Sequence, residues 1–210
     1  MMGCLITFEG VEGAGKSTQL HLVAEWLRGE GLRVVESREP DGTRLGEAVL
    51  GIFHMEGVSI NPLTELFLFE AARHQHVAEV IQPALARGQV VLSDRFTDST
   101  LAYQGYGRGL DLEEVEGLNH WATQGVKPDL TILLDLEIPV AFERIRGRAL
   151  DRFEQTGLEF HERVRKGYLE LATREPGRFL LLTADRPVEA VHAEICDRVM
   201  ALLRALGLRP

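Results

Sequence analysis

The sequence lacks the features of a disulfide-rich, zinc-binding or membrane protein. Cys4 and Cys196 are its only two cysteines, so we predict reduced thiols. A zinc site needs about four ligands, and His74 and His76 would point to different sides of a helix. No apolar run approaches the roughly 18 residues of a membrane span. No basic region followed by an apolar stretch opens the chain, and we therefore expect a cytoplasmic protein without membrane association.

Basic residues are also in the minority. The 210 residues include 23 Lys and Arg against 32 Asp and Glu, which gives a net charge of −9. Because nucleic-acid-binding proteins normally carry a basic surface, this balance argues against nucleic acid as a partner. Hydrophobic residues at 45% and charged residues at 26% are typical of a globular chain and argue against disorder. Arg outnumbers Lys 20 to 3, a bias that a GC-rich genome would also produce.

Short apolar segments alternate with helical patterns along the chain. We predict strands at 4–9, 32–37, 89–93, 130–135 and 179–183. The predicted helices are 16–28, 43–54, 63–87 with a possible kink at Pro83, 96–106, 112–124, 139–148, 158–173 and 187–206. Strands separated by helices need crossover connections, which favour an α/β fold with a parallel sheet covered on both faces. No linker divides the chain, so we expect a single domain, 1–210.

A phosphate-binding motif lies between the first strand and the first helix. Gly-Val-Glu-Gly-Ala-Gly-Lys-Ser at 10–17 matches the P-loop pattern G-x-x-x-x-G-K-[ST]. Glycines allow backbone N–H groups to surround phosphate oxygens, and the helix N-terminus adds partial positive charge. Lys16 would reach the outer phosphates, and Ser17 would offer its hydroxyl to Mg²⁺. The predicted ATP site is Gly10, Val11, Glu12, Gly13, Ala14, Gly15, Lys16, Ser17 and Thr18, in a three-layer sandwich of the P-loop NTPase type.

Asp94 and Arg95 follow the third predicted strand. Doubly wound folds bind ligands in the crevice at this end of their strands. A carboxylate there can reach the metal or its waters, so we predict Ser17 and Asp94 as metal ligands. The alternative for Asp94 is a helix N-cap.

The class of P-loop protein follows from what else the chain contains. Val-Lys-Pro-Asp at 126–129 lacks the Asn of the GTPase base-reading motif and precedes a strand, which excludes a GTPase. A small-molecule kinase fits the length, and it needs a second, Arg-rich anion site. Arg144, Arg148 and Arg152 are spaced by four, so a continuous helix would align them on a lid over the triphosphate. The alternative is a solvated face balanced by acidic neighbours.

Five segments resemble, in order, the motifs of bacterial thymidylate kinases. The P-loop region is Phe-Glu-Gly-Val-Glu-Gly-Ala-Gly-Lys-Ser-Thr-Gln at 8–19, and Ser-Arg-Glu-Pro-Asp-Gly-Thr follows at 37–43. The others are Leu-Phe-Glu-Ala-Ala-Arg-His-Gln-His-Val at 68–77, Val-Leu-Ser-Asp-Arg-Phe-Thr-Asp-Ser-Thr-Leu-Ala-Tyr-Gln-Gly at 91–105 and Leu-Asp-Arg-Phe-Glu at 150–154. The resemblance implies ATP-dependent phosphorylation of dTMP to dTDP, Mg²⁺ as cofactor and a homodimer.

The resemblance also implies roles for the matching residues. Lys16, Glu12, Arg95, Arg148 and Arg152 would be catalytic, and Arg144 would bind ATP. In this type of enzyme Gly13 stands where a basic P-loop residue is missing, and a lid at about 144–156 supplies the arginines. Arg73 and Arg95 would bind the 5′-phosphate of dTMP, Phe69 would stack on thymine, and Tyr103 would lie near the sugar. The other substrate-binding positions implied are Glu39, Pro40, Ser99, Thr100 and Gln104.

From the residues alone, several of these positions have other interpretations. Phe69 and Tyr103 could be core residues, Ser99 and Thr100 could be helix caps, and Arg73 could pair with Glu70 or Glu79.

Two other functions also stay open. They are a kinase for another nucleoside monophosphate or a deoxynucleoside, and an ATP-binding regulatory module. The chain departs from the family motif at Asp41, which replaces a glycine and puts the conformation of that loop in question.

Overall fold

A five-stranded parallel sheet forms the centre of the fold. The structure, a computed structural model, describes residues 3–55, 57–147, 153 and 156–208. Its strands are β1 (Cys4–Glu9), β2 (Val34–Arg38), β3 (Val90–Asp94), β4 (Leu130–Asp135) and β5 (Phe179–Thr183). They are ordered β2-β3-β1-β4-β5, and every pairing is parallel. The predicted sheet is confirmed.

Helices cover both faces of this sheet. They are α1 (Lys16–Gly29), α2 (Arg44–Phe53), α3 (Pro62–His76), α4 (Gln82–Ala86), α5 (Thr97–Thr100), α6 (Leu112–Thr123), α7 (Ile138–Arg144), α8 (Leu158–Arg174) and α9 (Val188–Ala205). Alternate residues of β1 serve two apolar clusters, since Ile6 packs with Leu20 and Val23 of α1, whereas Leu5 packs with Ile81 and Ala84. This confirms the three-layer α/β sandwich.

Two helices that the sequence predicts as continuous contain π-helical turns. Val77–Ile81 separates α3 from α4 and directly precedes Gln82 and Pro83. Proline has no N–H to donate, and its ring collides with the carbonyl four residues earlier, so a wider turn accommodates it. The second turn, Leu101–Gly107, follows α5. The kink predicted at Pro83 is thus a local change of helix type.

The helix predicted at 139–148 ends earlier than expected. α7 stops at Arg144, and residues 145–147 form a turn in which Gly147 has a φ of 92°. The interpretation of Arg144, Arg148 and Arg152 as one continuous helical face is therefore wrong at its first step. Arg148 and Arg152 themselves lie outside the described residues.

The histidine pair confirms its predicted geometry. His74 contacts the backbone oxygen of Ala122 in α6 at 3.0 Å, whereas His76 is fully buried and contacts Ser37 and Glu39. The two rings thus point to different elements.

Cys4 and Cys196 are free thiols. Within the ranges that the structure describes, no helix is both long enough and apolar enough to cross a membrane.

Candidate active site

A cavity of about 710 Å³ opens at the carboxyl ends of β1 and β3. The structure brings together in its wall all nine residues predicted to bind the substrate: Glu39, Pro40, Phe69, Arg73, Arg95, Ser99, Thr100, Tyr103 and Gln104. Four P-loop residues, Glu12, Gly13, Lys16 and Ser17, line it as well, together with Asp94. Gly10, Val11, Ala14, Gly15 and Thr18 are not part of this wall. Residues that the sequence predicts to bind ATP and residues that it predicts to bind the phosphate acceptor therefore line the same cavity.

Lys16 is held within the P-loop itself. β1 ends at Glu9, and α1 begins at Lys16 after a left-handed Gly15. The side chain of Lys16 is buried, and its Nζ donates to the carbonyl oxygens of Gly10 at 3.0 Å and Val11 at 2.9 Å. Burial, followed by the nearby charge of Arg95, lowers the pKa of Lys16 to about 8. The ammonium is thus desolvated and is held by two carbonyl oxygens of the P-loop.

The close approach of α7 explains why position 13 is glycine. Gly13 has a φ of +75°, and a Cβ there would lie 2.7 Å from the carbonyl oxygen of Ala141. A basic side chain does not fit at this position. Arg144, at the end of the same helix, donates to the Gly13 carbonyl oxygen at 3.4 Å and forms an ion pair with Asp185 at 3.2 Å. Arg144 therefore places a cation from α7 beside Gly13, a P-loop position that has no side chain of its own.

Ser17 and Asp94 are in direct contact. The hydroxyl of Ser17 donates to Oδ2 of Asp94 at 2.5 Å. The N-cap interpretation of Asp94 is wrong, because α5 is preceded by Phe96 and has no side-chain cap. A hydroxyl and a carboxylate are the oxygen ligands that Mg²⁺ takes beside phosphates and water. The donor set fits a magnesium ion at this wall of the cavity.

Arg95 has an unusual backbone conformation and a guanidinium group that is held by several contacts. Its φ is +72°, a left-handed conformation that non-glycine residues seldom adopt. Its guanidinium donates to Glu12 at 2.9 Å and to Ser99 at 3.0 Å, and it lies 5.0 Å from the ring centroid of Tyr103. Burial would raise the pKa of Glu12, but the charges of Arg95 and Lys16 outweigh it and hold that pKa below its usual value. Glu12 therefore keeps Arg95 in place as a carboxylate.

A buried acid, Glu9, supports this part of the wall from behind. Its Oε1 accepts from the backbone N–H of Phe96 at 2.8 Å. Its Oε2 accepts from the hydroxyls of Ser99 at 2.6 Å and Tyr168 at 3.0 Å. Burial, and then the neighbouring carboxylate of Asp98, raise the pKa of Glu9 to about 7. Glu9 titrates near neutral pH while it holds Ser99, the neighbour of Arg95.

This shift predicts a pH-dependent stability. Between pH 4.5 and about 7 the folded protein keeps a proton on Glu9 that the unfolded chain releases, so the contribution of Glu9 to stability is lost as the pH rises through this window. The melting temperature of Glu9→Gln minus that of the unmodified protein should therefore increase from pH 5 to pH 8, as measured by calorimetry. The exposed Glu189→Gln is the control, and an equal difference at both pH values would contradict the assignment.

Arg73 is buried and fully engaged. Its guanidinium donates to Glu39 at 2.9 Å, Glu70 at 2.8 Å and Thr100 at 2.7 Å, and also to Asn119 and the Phe96 carbonyl oxygen. The alternative pairing with Glu70 is confirmed, whereas Glu79 accepts from Gln75 instead. Burial would raise the pKa of Glu39, but the charge of Arg73 outweighs it and lowers that pKa. Arg73 lines the cavity as part of an ion-pair cluster.

The remaining predicted residues form an aromatic and a polar side of the cavity. Phe69 is half-buried and stacks on Phe53, with ring centroids 4.6 Å apart, and Phe153 lies 5.8 Å from Phe69. Tyr103 is buried, and its hydroxyl donates to Glu12 at 2.6 Å. Gln104 donates to the buried Glu65 at 2.9 Å. Phe69 and Tyr103 thus belong to the core and to the cavity wall at once.

The cap interpretation of Ser99 and Thr100 is wrong. Both lie within α5 and present hydroxyls to Arg95 and Arg73. Each hydroxyl therefore accepts a hydrogen bond from one of the two arginines of the cavity wall.

The departure at Asp41 is accommodated by the loop that follows β2. Asp41 pairs with Arg38 and does not have a positive φ. The residue that must be glycine is the next one, because a Cβ on Gly42 would lie 2.5 Å from the carbonyl oxygen of Arg38 and 2.9 Å from the His76 ring. The Glu39–Pro40 peptide bond in this loop is cis. The backbone of the loop therefore does not require glycine at position 41.

Sequence reasoning missed several residues of this site. Phe53 and Phe153 line the cavity, and the hydroxyl of Tyr168, in α8, accepts from Arg95 at 3.2 Å and lies 2.8 Å from that of Ser99. Glu9 carried a usable signal, since an acid at the end of an otherwise apolar buried strand needs partners. Tyr168 carried none, because it lies 73 residues from Arg95 in the chain.

Comparison with known proteins gives one consistent result. Residues 8–195 match the model of the protein family described as Thymidylate kinase. The thymidylate kinase of Desulforudis audaxviator (strain MP104C) is 50% identical over 206 residues, which are 97% of this chain and 93% of that protein. The thymidylate kinase of Synechococcus sp. (strain JA-3-3Ab) is 51% identical over 205 residues, which are 98% and 99% of the two chains.

A solved structure agrees with these relatives. The crystal structure of thymidylate kinase from Ehrlichia chaffeensis superposes with a TM-score of 0.80 at 35% sequence identity. The superposition covers 95% of this chain and 100% of the other. The similarity therefore extends through the sheet, the P-loop and the cavity wall.

Proposed function

Because this chain belongs to the thymidylate kinase family, we propose that it transfers the γ-phosphoryl group of ATP to the 5′-phosphate of dTMP within the cavity described above. The reaction is ATP + dTMP → ADP + dTDP. The observation that supports the assignment of residues is their common location: Lys16 and Ser17 lie in the wall of the same cavity as Arg73 and Arg95. Two anion-binding groups in one space suit a transfer between two phosphates.

The chemistry requires little from a general base. The acceptor phosphate has a second pKa of about 6 and is mostly a dianion at neutral pH. The difficulty is repulsion between two anions, so the protein has to position them and neutralise their charge. Lys16 and the P-loop amides would hold the donor. Arg95 would bind the acceptor phosphate together with Arg73, and Arg95 is the stronger candidate because Arg73 already carries Glu39 and Glu70.

Magnesium would bind at Ser17 and Asp94. Their oxygens are already in contact and belong to the ligand class that Mg²⁺ prefers. When bound, the ion would neutralise charge on the transferred group. Asp94 would hold the metal or its waters, and Ser17 would anchor it to the first turn of α1.

Arg144, at the end of α7, and the arginines that follow it would complete the donor site. We treat the chain as one kinase domain, 1–210, with a lid at about 144–156. Arg144 would bind ATP, as its contact with the Gly13 carbonyl oxygen suggests. Arg148 and Arg152 are assigned to the lid on the sequence alone. Closure over the nucleotides would exclude water, which otherwise hydrolyses ATP.

The direct test is product analysis. dTMP, ATP and Mg²⁺ incubated with the protein should give dTDP by mass spectrometry, and the absence of dTDP would reject the proposal. Competition among dTMP, dUMP, UMP and thymidine would measure specificity, because thymine differs from uracil by one methyl group, worth only about 1–3 kcal/mol. A preference for dUMP, UMP or thymidine over dTMP would favour the alternative function, a kinase for another nucleoside monophosphate or for a deoxynucleoside.

We also propose that the protein acts in the cytoplasm. ATP is the donor, and the free thiols of Cys4 and Cys196 fit a reducing compartment.

We further propose a homodimer formed through α3 and α6. Leu63 and Phe67, one turn apart on α3, are 46% and 52% exposed, and Trp121 on α6 is 81% exposed. The contact of His74 with the Ala122 carbonyl oxygen holds the two helices together. Aromatic residues exposed on one surface are typical of protein interfaces.

A charge in this surface should separate the subunits. Trp121→Glu and Phe67→Glu would bury a carboxylate in the interface, so the mass measured by light scattering should fall from twice the chain's 23.4 kDa to that value. Leu206→Glu, at a residue that is 42% exposed after α9, is the matched control. An unmodified protein of 23.4 kDa would reject the dimer itself.

A further inference from the structure

Two buried polar atoms beside the cavity face each other, and neither has a hydrogen-bond partner among the residues that the structure describes. They are Oε2 of Glu12, in the P-loop, and Nδ1 of His161, in α8, and they lie 3.8 Å apart. Both belong to the five buried side-chain polar atoms that have no partner among the described residues. His161 is 1% exposed, so bulk water does not reach its ring. Leaving two such atoms unpaired is costly, and a proton on Nδ1 would let that nitrogen donate to the carboxylate oxygen.

The opposite ends of both side chains are occupied. Oε1 of Glu12 accepts from Arg95 at 2.9 Å and from the Tyr103 hydroxyl at 2.6 Å. Nε2 of His161 lies 3.0 Å from the carbonyl oxygen of Phe153. Because a carbonyl oxygen only accepts hydrogen bonds, Nε2 must carry a proton. A bond from Nδ1 to the Glu12 carboxylate then needs a second proton, which makes the ring an imidazolium.

We propose that His161 is a positioning residue that joins Phe153 to Glu12 when dTMP occupies the cavity. Its Nε2–H donates to the Phe153 carbonyl oxygen, and its Nδ1–H donates to Oε2 of Glu12. The second bond forms when the present 3.8 Å shortens by about 1 Å, to the distance of a charge-assisted hydrogen bond. This inference rests on the proposed function, because it assigns His161 a role at the same site.

The neighbours of His161 show why this link acts on the substrate. Phe153 lines the cavity and packs beside Phe69, and Glu12 lines it and holds Arg95. The ring thus connects two parts of the wall that dTMP would contact from different sides. A carboxylate fixed by Arg95 on one oxygen and by His161 on the other has a single orientation.

The surroundings of the ring leave Glu12 as its charged partner. Within the described ranges, Glu12 is the acid within 4 Å of a ring nitrogen of His161. The edges or faces of Phe142 and Phe160 cover the ring at centroid distances of 4.9 and 5.2 Å. Among the described cations, Arg95 and Lys16 act on Glu12 from its other side and lower its pKa, and Arg108 lies 4.6 Å from the Phe160 ring centroid.

Three substitutions separate the two ends of this link. His161→Phe keeps a ring and removes both donors, His161→Asn keeps an amide N–H at the place of Nδ1, and His161→Gln keeps one near the place of Nε2. We expect His161→Phe to lower kcat/KM for dTMP about 10-fold with an unchanged KM for ATP. His161→Asn should recover to within about 3-fold of the unmodified enzyme, because the bond to Glu12 returns. His161→Gln should stay lower than His161→Asn.

A double-substitution cycle with Glu12→Gln tests the contact itself. If His161 acts through Glu12, adding His161→Phe to Glu12→Gln should lower kcat/KM no further. If the losses of kcat/KM caused by the two substitutions multiply in the double variant, the inference is overturned. Equal activity of the His161→Asn and His161→Gln variants would overturn it as well. If His161→Phe does not fold, the comparison of Asn with Gln decides alone. If the unmodified enzyme makes no dTDP, the proposed function is rejected and this inference with it. If the unmodified enzyme is active but all three His161 variants have the same kcat/KM as it has, this inference alone is rejected.

Discussion

Lys16→Met is expected to lower kcat/KM for ATP by about 10³-fold, the upper range for removing one preorganised donor from developing charge. Among the described residues, Nζ of Lys16 donates to the carbonyl oxygens of Gly10 and Val11 and to no carboxylate, so its charge can act on a phosphate. Methionine keeps the length of the stem and removes the charge. Steady-state kinetics at varied ATP concentration measures the effect.

The same substitution should not lower the melting temperature. Burial depresses the pKa of Lys16 from 10.5 to about 8, so at pH 7 the ammonium is still mostly protonated but is less favourable in the folded protein than in the unfolded chain. Removing that charge relieves this cost. Lys166→Met, at a side chain that is 74% exposed on α8, is the matched control. A Lys16→Met enzyme within 10-fold of the unmodified one would show that the P-loop charge does not act on ATP.

Arg95→Met is expected to lower kcat/KM for dTMP by about 10²–10³-fold. Arg95 lines the cavity and forms an ion pair with Glu12, and we propose that it binds the acceptor phosphate. Arg95→Lys should recover part of the loss, because it restores a charge without the fork of N–H donors that binds phosphate from two sides. Kinetics at varied dTMP and saturating ATP measures the series.

Stability has to be measured alongside, because Arg95 also neutralises a buried acid. Without it the pKa of Glu12 would rise and the fold would lose an ion pair of 2.9 Å. The left-handed backbone at position 95 penalises methionine and lysine as it penalises arginine, so it does not distort the comparison. Arg204→Met, exposed near the end of α9, is the control. Near-normal turnover of dTMP by folded Arg95→Met would refute the phosphate assignment.

The sequence predicted the sheet because its signal is local. Each strand is a short apolar run between helical patterns, and parallel order follows from the crossovers. The P-loop was equally visible, since a contiguous motif forms the phosphate cradle. The early end of α7 was not, because the pattern of Arg144, Arg148 and Arg152 suits a helix although the backbone turns at 145–147.

The partners of the site residues could be predicted only in part. Glu70 stands three residues before Arg73, so their ion pair was a visible possibility. Glu39, which also pairs with Arg73, lies 34 residues away in the loop after β2. His161 and Glu12 are separated by most of the chain, and their approach depends on how α8 crosses the sheet. Contacts of this kind arise from tertiary packing, which no local pattern encodes.

The contact between Gly13 and Ala141 also constrains protein engineering. A basic residue transplanted into the P-loop at this position would need a left-handed backbone and would collide with a carbonyl oxygen 2.7 Å away. Moving the cation from Arg144 of α7 into the loop is therefore not a one-residue exchange. Such an exchange also requires α7 to shift away from the P-loop. A single substitution that adds a basic side chain at position 13 does not provide this repacking.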